Sequence, residues 1–256
     1  SNASGSNSIA SGANSSASGN SAIAIGHKAN ALHNKSIALG YNSSASGTNS
    51  IASGANSNAS GTSAIAIGKS SNVNSQNALA LGVSATAKAD GAIAIGTSSV
   101  ANKKDAIALG HSAEATNDQS IAIGTKAKSS GQGIAIGPSA NSTACSIAIG
   151  YQVSAVNANA IAIGSQADAN ASQSIAIGQQ ACANKGGQYA VAIGYMAKAN
   201  YQASYAIGKE AKTDRDNQIK LGEPNESWDS GEVTIGSLKY YGGEKAEKGR
   251  QIRWNE

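Results

Sequence analysis

Large apolar and small residues alternate along this chain in a pattern that recurs about every 14 residues. Each unit ends with a glycine preceded by a triplet of the type Ile-Ala-Ile, as in residues 23–25 and 161–163. The 17 closing glycines define 16 intervals, of which 13 are 14 residues long, two are 13 and one is 16. Such a fixed period is typical of a repeat protein. We number the positions of each unit from its closing glycine, which is position 0.

The alternation predicts two short strands in every unit. Positions −3 and −1 are mostly Ile, Leu or Val, position −2 is Ala in 15 of 17 units, and positions +3 and +5 are usually Ala or Ser. A period of two indicates a strand, while Ile at i and i+2 falls on different faces of a helix. Glycine at position 0 suits a turn that needs a positive φ or a close approach of two backbones. We therefore predict an all-β parallel β-roll, or solenoid, of about 17 fourteen-residue turns with strands about 4.8 Å apart.

The same alternation leads to a prediction about the inside and the outside of the roll. We expect the two large residues of each triplet to fill the roll core, with Ala and Ser of the second strand opposite them. The core residues predicted in this way are Ile23, Ile25, Ile65, Ile67, Ile121, Ile123, Ile161, Ile163, Ile175 and Ile177.

Position −2 would then face outward, and a column of Ala there lets another backbone come very close. We expect this column to be the interface of a homotrimer around a threefold axis. The predicted interface residues are Ala24, Ala38, Ala66, Ala80, Ala94, Ala108, Ala122, Ala135, Ala148, Ala162, Ala176 and Ala192.

Composition narrows the class of protein further. The chain has 4% aromatic residues, no Phe and 13% charged residues, which does not suit a conventional globular core. Two prolines and the absence of a three-residue glycine period exclude collagen, and no apolar run is long enough to span a membrane. The net charge is +4, and no Lys/Arg cluster interleaves with aromatic residues, so we expect no nucleic-acid partner.

Three segments are predicted. Residues 1–3 look like the scar of a cleaved expression tag, residues 4–222 contain the roll repeats, and residues 223–256 hold the last turn and a cap or neck-like connector. The last segment carries both tryptophans, and more than half of the charged residues lie after residue 207.

No set of residues points to catalysis, a cofactor or a metal. Cys145 and Cys182 are about two and a half turns apart, too far for a disulfide, and we expect both to be buried or half-buried. His27, His33 and His111 are distributed over separate turns, which predicts no metal site. We therefore expect a protein that is not an enzyme.

A binding site on such a rod would be a distributed surface in which many weak contacts add up. We expect it on the outward positions +2, +4 and +6 and on tyrosines at position +1. Examples are Lys28, Asn30, Asn72, Lys126, Lys128, Gln166, Asp168 and Lys198, with Tyr41, Tyr151 and Tyr195.

Units such as Ser120-Ile121-Ala122-Ile123-Gly124, followed by Ala-x-Ala, resemble the head repeats of trimeric autotransporter adhesins, the YadA-like heads. The resemblance covers about residues 6–236 and implies a left-handed roll, three chains around one axis and display on the outer membrane of a Gram-negative bacterium. It also implies binding to a host matrix protein or cell-surface receptor, or autoaggregation, and contact with the membrane only through a C-terminal anchor that is missing here. Lys248-Gly249-Arg250-Gln251-Ile252 is similar to the start of the family's neck, but the residues that follow depart from it.

A second identity stays open at this point. Phage and prophage tail fibres contain similar repeats, so the chain is alternatively a structural or receptor-binding segment of such a fibre. A membrane barrel in the parent protein would indicate the adhesin, and a baseplate-attachment or chaperone segment would indicate the fibre.

Overall fold

A computed structural model describes residues 1–183, 186 and 188–222. These residues form a parallel β-solenoid in which each unit of the repeat makes one turn, here called a rung and named by its closing glycine. Sixteen of the closing glycines, from Gly12 to Gly222, lie in the described residues. The seventeenth, Gly236, and the whole predicted connector at 223–256 lie outside them. Helices long and apolar enough to cross a membrane were not found in the part of the chain that the structure describes.

The first sheet, called the narrow sheet, consists of fifteen two-residue strands around positions +4 and +5. Its strands are β1 (Asn2–Ala3), β3 (Ser16–Ala17), β5 (Asn30–Ala31), β7 (Ser44–Ala45), β9 (Asn58–Ala59), β11 (Asn72–Val73), β13 (Thr86–Ala87), β15 (Val100–Ala101), β17 (Glu114–Ala115), β19 (Lys128–Ser129), β21 (Asn141–Ser142), β23 (Ser154–Ala155), β25 (Asp168–Ala169), β27 (Cys182–Ala183) and β29 (Lys198–Ala199).

The second sheet, called the wide sheet, consists of sixteen three-residue strands at positions −3 to −1. Its strands are β2 (Ile9–Ser11), β4 (Ile23–Ile25), β6 (Ile37–Leu39), β8 (Ile51–Ser53), β10 (Ile65–Ile67), β12 (Leu79–Leu81), β14 (Ile93–Ile95), β16 (Ile107–Leu109), β18 (Ile121–Ile123), β20 (Ile134–Ile136), β22 (Ile147–Ile149), β24 (Ile161–Ile163), β26 (Ile175–Ile177), β28 (Val191–Ile193), β30 (Tyr205–Ile207) and β31 (Ile219–Leu221).

The register aligns each position of one rung with the same position of the next. In the wide sheet Ile65, Ala66 and Ile67 pair with Leu79, Ala80 and Leu81, and the other pairs follow the same rule. Backbone N–H groups donate to both neighbouring rungs, as in Ile23 N to Ser36 O at 2.9 Å and Gly26 N to Ser11 O at 2.8 Å. Every position of the repeat therefore becomes a column along the rod, and the two predicted strands per unit are confirmed.

The closing glycine is required for two reasons. From Gly12 to Gly208 its φ lies between 118° and 143°, a conformation that L side chains rarely adopt. The rungs also touch at this point, since a Cβ on Gly124 would lie 2.5 Å from the carbonyl oxygen of Gly137. Both parts of the sequence-based interpretation of this glycine are thus confirmed.

The interior of the roll is lined by small residues from both sheets. Positions −4, −2, +3 and +5 point inward and are almost all Ala or Ser, buried without measurable exposure in most rungs. The largest fully buried side chains are Val73, Val153 and Thr213. The two sheets therefore leave room for methyl-sized side chains and for little more.

The predicted Ile core is wrong, because large side chains do not fit this thin interior. All ten of those residues are partly or well exposed, and Ile25 and Ile67 keep 45% and 37% of their surface accessible. The correction applies to Ile23, Ile25, Ile65, Ile67, Ile121, Ile123, Ile161, Ile163, Ile175 and Ile177.

The predicted Ala interface is wrong for the complementary reason. Position −2 points into the roll, where each of these Ala side chains is completely covered by its own chain and cannot contact another. The correction applies to Ala24, Ala38, Ala66, Ala80, Ala94, Ala108, Ala122, Ala135, Ala148, Ala162, Ala176 and Ala192.

The inward serines at positions −4 and +3 form hydrogen bonds with backbone carbonyl groups. At position −4, Ser36 Oγ donates to His33 O at 2.6 Å and Ser120 Oγ donates to Asn117 O at 2.6 Å. At position +3, Ser99 Oγ donates to Gly96 O at 2.9 Å. Because a buried hydroxyl without a partner is costly, these positions next to the turns accept Ser, whereas position −2 in mid-strand does not.

The first three residues take part in the roll. Asn2 and Ala3 form β1 and pair in parallel with Ser16 and Ala17. Excluding residues 1–3 from the fold on the basis of the sequence was therefore wrong for this pair, because Asn-Ala matches positions +4 and +5 of the repeat.

Candidate functional site

The outer face of the wide sheet carries two parallel columns of large apolar side chains, called here the outer stripe. It consists of positions −3 and −1 in all sixteen described rungs, and most of its members are Ile or Leu. The residues at −3 are half-buried in most rungs, while many at −1 are more exposed, such as Leu81 and Leu109 at 40% each. The patch runs along all sixteen described rungs, and a continuous apolar surface of this kind is typical of an interaction site.

The outer face of the narrow sheet is polar. Its central column at position +4 holds Asn, Ser, Thr and charged residues, among them Asn30 and Asn72 from the predicted surface set. Neighbouring rungs are linked by side-chain contacts, such as Asn58 Nδ2 to Asn72 Oδ1 at 2.9 Å and Lys128 Nζ to Glu114 Oε2 at 3.3 Å. This face is polar and lightly charged, as expected from the sequence.

Position +2 forms a corner that projects polar side chains. In the rungs from Gly12 to Gly208 its residue is never glycine, yet its φ lies between 51° and 58°, the left-handed region. Lys28, Lys126 and Gln166 from the predicted set lie here and are exposed. Gln166 accepts from Gln180 Nε2 at 3.1 Å and donates to Gln152 Oε1 at 3.3 Å, so three amides form a ladder along the rod.

Position +1 lies between this corner and the outer stripe and carries exposed aromatic residues. The rings of His27 and Tyr41 stack across neighbouring rungs, with centroids 5.4 Å apart and an interplanar angle of 10°. Tyr151 and Tyr195 are exposed on rungs of their own, 51% and 43% accessible. The sequence analysis missed the His–Tyr stack, although the shared position in consecutive units was a visible signal for it.

Near the end of the narrow sheet, the column at +4 brings three reactive side chains together. Asp168 pairs in register with Cys182, and Cys182 with Lys198. Burial raises the pKa of the Asp168 carboxyl, and a hydrogen bond from Ser154 partly opposes this. Burial and the nearby Asp168 also raise the pKa of the Cys182 thiol, with Lys198 acting in the opposite direction. A thiol with a raised pKa is a weak nucleophile at neutral pH.

The two cysteines are both free thiols. Cys182 is half-buried, as predicted, but Cys145 is exposed, because it lies in a turn with a φ of 61°. No group of three or more His, Cys, Asp or Glu residues suited to a metal was found among residues 1–222 as far as they are described. A shallow polar depression lined by Lys103, Asn117, Asp118 and Gln132 also occurs on the surface.

Sequence reasoning therefore located the polar surface and missed the outer stripe. A signal for the stripe was present: position −4 alternates between Ala and Ser just as +3 does, and −4 shares a strand face with −2. Four small positions per rung thus point to one interior, which leaves the large residues outside.

Comparison with known proteins gives a family and a similar solved structure. The YadA head domain repeat family matches residues 1–15, 17–43, 45–71, 74–99, 101–127, 155–181 and 186–200, well over half of the chain. The gap at 128–154 covers most of the two 13-residue intervals, which run from Gly124 to Gly150. A comparison with curated proteins found no significant match. Among solved structures, the collagen-binding domain of the Yersinia adhesin YadA is similar over 73% of this chain and 78% of that domain, with 24% identity and a TM-score of 0.35.

Proposed function

Because the chain belongs to the YadA head domain repeat family, we propose that it is the head of a trimeric surface adhesin without enzymatic activity. In this proposal the rod is displayed on the surface of a Gram-negative bacterium. It binds a host matrix protein or cell-surface receptor, or like copies on neighbouring cells.

The observation that carries the proposal is the outer stripe. An apolar face that runs along sixteen rungs needs a cover of equal length. Another copy of the same chain has such a face, with the same spacing of about 4.8 Å between rungs. Burial of apolar surface at about 25 cal/mol per Å² favours this association, and three copies around one axis are the arrangement typical of the family.

Assembly through the outer stripe leaves the narrow sheet and the +2 corners on the outside of the trimer. These surfaces repeat polar groups at every rung, such as the Gln152–Gln166–Gln180 ladder, and threefold symmetry triples them. Many weak contacts of this kind give avidity to an extended ligand without a deep pocket. Host matrix fibres and the rods of neighbouring cells are ligands of that shape.

The experiment that tests adhesion uses the purified protein in its assembled form. Labelled protein is applied to surfaces coated with collagen, fibronectin, laminin or albumin, and protein-coated beads are followed for clumping. We expect saturable retention on at least one matrix coating, or clumping, and none on albumin. A folded trimer that does neither would contradict the adhesin function.

The matched control is a chain with Ile121→Glu and Ile149→Glu, two substitutions on the outer stripe that leave the polar faces intact. Since avidity depends on assembly, we expect at least a tenfold weaker retention of this variant at equal chain concentration. Equal retention would show that a single chain carries the complete binding surface.

A further inference from the structure

The regularity of the rod does not by itself align the three chains of a trimer that is built on the outer stripe. The inference drawn below rests on the proposed function. Successive rungs present nearly the same pair of apolar side chains, so one chain can slide by one rung, about 4.8 Å, against its partners. Such a slip exchanges Ile for Ile or Leu at most levels and loses only the contacts of one end rung. General hydrophobicity therefore does not determine which rung of one chain contacts which rung of its partners, and specific residues must do so.

The first departure from regularity is a pair of serines in the stripe. Position −1 is Ile or Leu in fourteen of the sixteen described rungs, and Ser11 and Ser53 are the two others. Ser53 lies on β8, between Leu39 and Ile67 of the neighbouring rungs.

The Ser53 hydroxyl has no hydrogen-bond partner among the described residues of its own chain. No hydrogen bond among the described residues uses Ser53 Oγ, whereas the inward Ser50 and Ser57 donate to Gly47 O at 2.7 Å and to Gly54 O at 2.9 Å. An outward hydroxyl in an apolar face needs a partner from outside the chain once that face is covered.

The second departure lies near the other end of the described rod. Position −3 is Ile or Leu in fourteen described rungs, and the two others are Val191 and Tyr205. These two are direct neighbours, since Val191 on β28 pairs with Tyr205 on β30. A smaller and a larger side chain than usual thus occur side by side, which is the size compensation expected where a packed face must admit one larger ring.

We propose that the Ser53 level and the Val191–Tyr205 pair fix the axial register of the homotrimer. In register, three Ser53 hydroxyls meet at one level and donate to one another, as a single buried Asn does in a coiled coil. After a slip of one rung, each Ser53 of the displaced chain faces Ile or Leu and loses its partners. At the same time the Tyr205 ring of that chain leaves the level of the other two Tyr205 rings, one rung from the three smaller Val191 side chains that make room for them.

The serine levels and the Val191–Tyr205 pair together exclude slips that one of them alone would permit. Ser11 and Ser53 are three rungs apart, so a slip of three rungs places one serine on the level of the other. The Val191–Tyr205 pair occurs once in the described rungs and matches only itself. One register therefore satisfies all of these levels.

The test moves the serine by one rung and measures mixing. A variant with Ser53→Ile and Ile67→Ser keeps the composition of the stripe and is first shown to form trimers alone, by native mass spectrometry. It is then refolded from denaturant with an equal amount of differently tagged wild-type chain. Random mixing would give mixed species as about three quarters of the trimers; we expect at least a fivefold depletion, because no register matches both serine and tyrosine levels.

The matched control carries the same kind of exchange on the narrow sheet, Ser44→Asn with Asn58→Ser. These positions lie outside the stripe, so we expect mixing with wild type at the random level. Depletion with this control as well would overturn the inference, since mixing would then depend on any sequence difference.

A third pairing isolates the tyrosine. When both partners also carry Val191→Ile and Tyr205→Ile, a slip of one rung aligns the serine moved to position 67 with Ser53 of the other chain and leaves only Ser11, in the end rung, unmatched. We therefore expect mixed trimers to recover at least threefold. Depletion without recovery would overturn the role of Tyr205, and random mixing in the first experiment would overturn the role of Ser53. Wild-type chains that form no trimer at all would overturn the proposed function itself, and this inference with it.

Discussion

The two sheets of the roll share one interior and carry opposite outer faces. Both contribute Ala and Ser to the inside, because the space between them admits only small side chains. Outside, the wide sheet presents Ile and Leu and the narrow sheet presents Asn, Ser, Thr and charged residues. The thickness of the rung thus limits the inner side chains to small ones, whereas it places no limit on the side chains of the two outer faces. Their difference separates a face suited to other copies of the chain from a face suited to water and ligands.

The largest expected effect comes from Ala122→Glu. This residue is completely buried inside the rung, so a carboxylate there has neither room nor a partner. We expect a loss of about 4 kcal/mol or more in the free energy of unfolding, with loss of the strand signal in circular dichroism. The matched control is Ile121→Glu on the neighbouring outward position, which should keep that signal. Retention of full stability by Ala122→Glu would show that position −2 does not face the interior.

The second effect concerns assembly rather than folding. With Ile121→Glu and Ile149→Glu on the outer stripe, we expect the strand signal to remain while the molar mass in solution falls to that of one chain. Two half-exposed positions can accept a carboxylate in the free chain, but not in a covered interface. An unchanged mass would place the contact between chains elsewhere on the rod.

A smaller effect is expected from Asp168→Asn on the narrow sheet. Burial raises the pKa of this carboxyl, so the native state binds its proton more readily than the unfolded chain and the ionised form lowers stability at neutral pH. Asparagine should therefore raise the melting temperature at pH 7, and the gain should shrink as the pH falls through the titration range of the carboxyl. Melting curves from pH 7 to pH 3 test this, and a gain that grows toward low pH would contradict it.

The smallest effect is expected from Lys128→Gln, which removes the ion pair with Glu114. Both side chains are about half exposed, and exposed pairs of this kind contribute about 0–1 kcal/mol. Denaturant titration should give a change within that range, and the molar mass should stay the same. A change of assembly state would mean that the narrow sheet also contacts other chains.

The sequence predicts the period, the two strands per rung and the role of the closing glycine, because all three follow from local alternation. Alternation does not show which face of each strand points into the roll. The larger residues were expected inside because of their size, and the structure places them outside. Two Ile against two Ala looks like a normal core, but only the distance between the sheets shows that the interior admits four small residues instead. The serines at position −4, such as Ser36 and Ser120, were the residues that could have decided it, since they share the inner face with Ala38 and Ala122.

Side-chain contacts between rungs were harder to predict. The stack of His27 on Tyr41 and the ladder around Gln166 depend on residues that are 14 apart in the chain and neighbours on the rod. Residues at the same repeat position lie side by side on neighbouring rungs. Whether their side chains touch depends on rotamers, which the alternation of residue types does not determine.

The most direct test of the central claim, that the outer stripe is covered by further copies of the chain, is the molar mass of the wild-type protein by light scattering on a sizing column. The chain mass is 25.2 kDa, and the account predicts a single species of three times that mass. A folded protein with the mass of one chain would contradict it, because the apolar face of the wide sheet would then be stable in water without a partner.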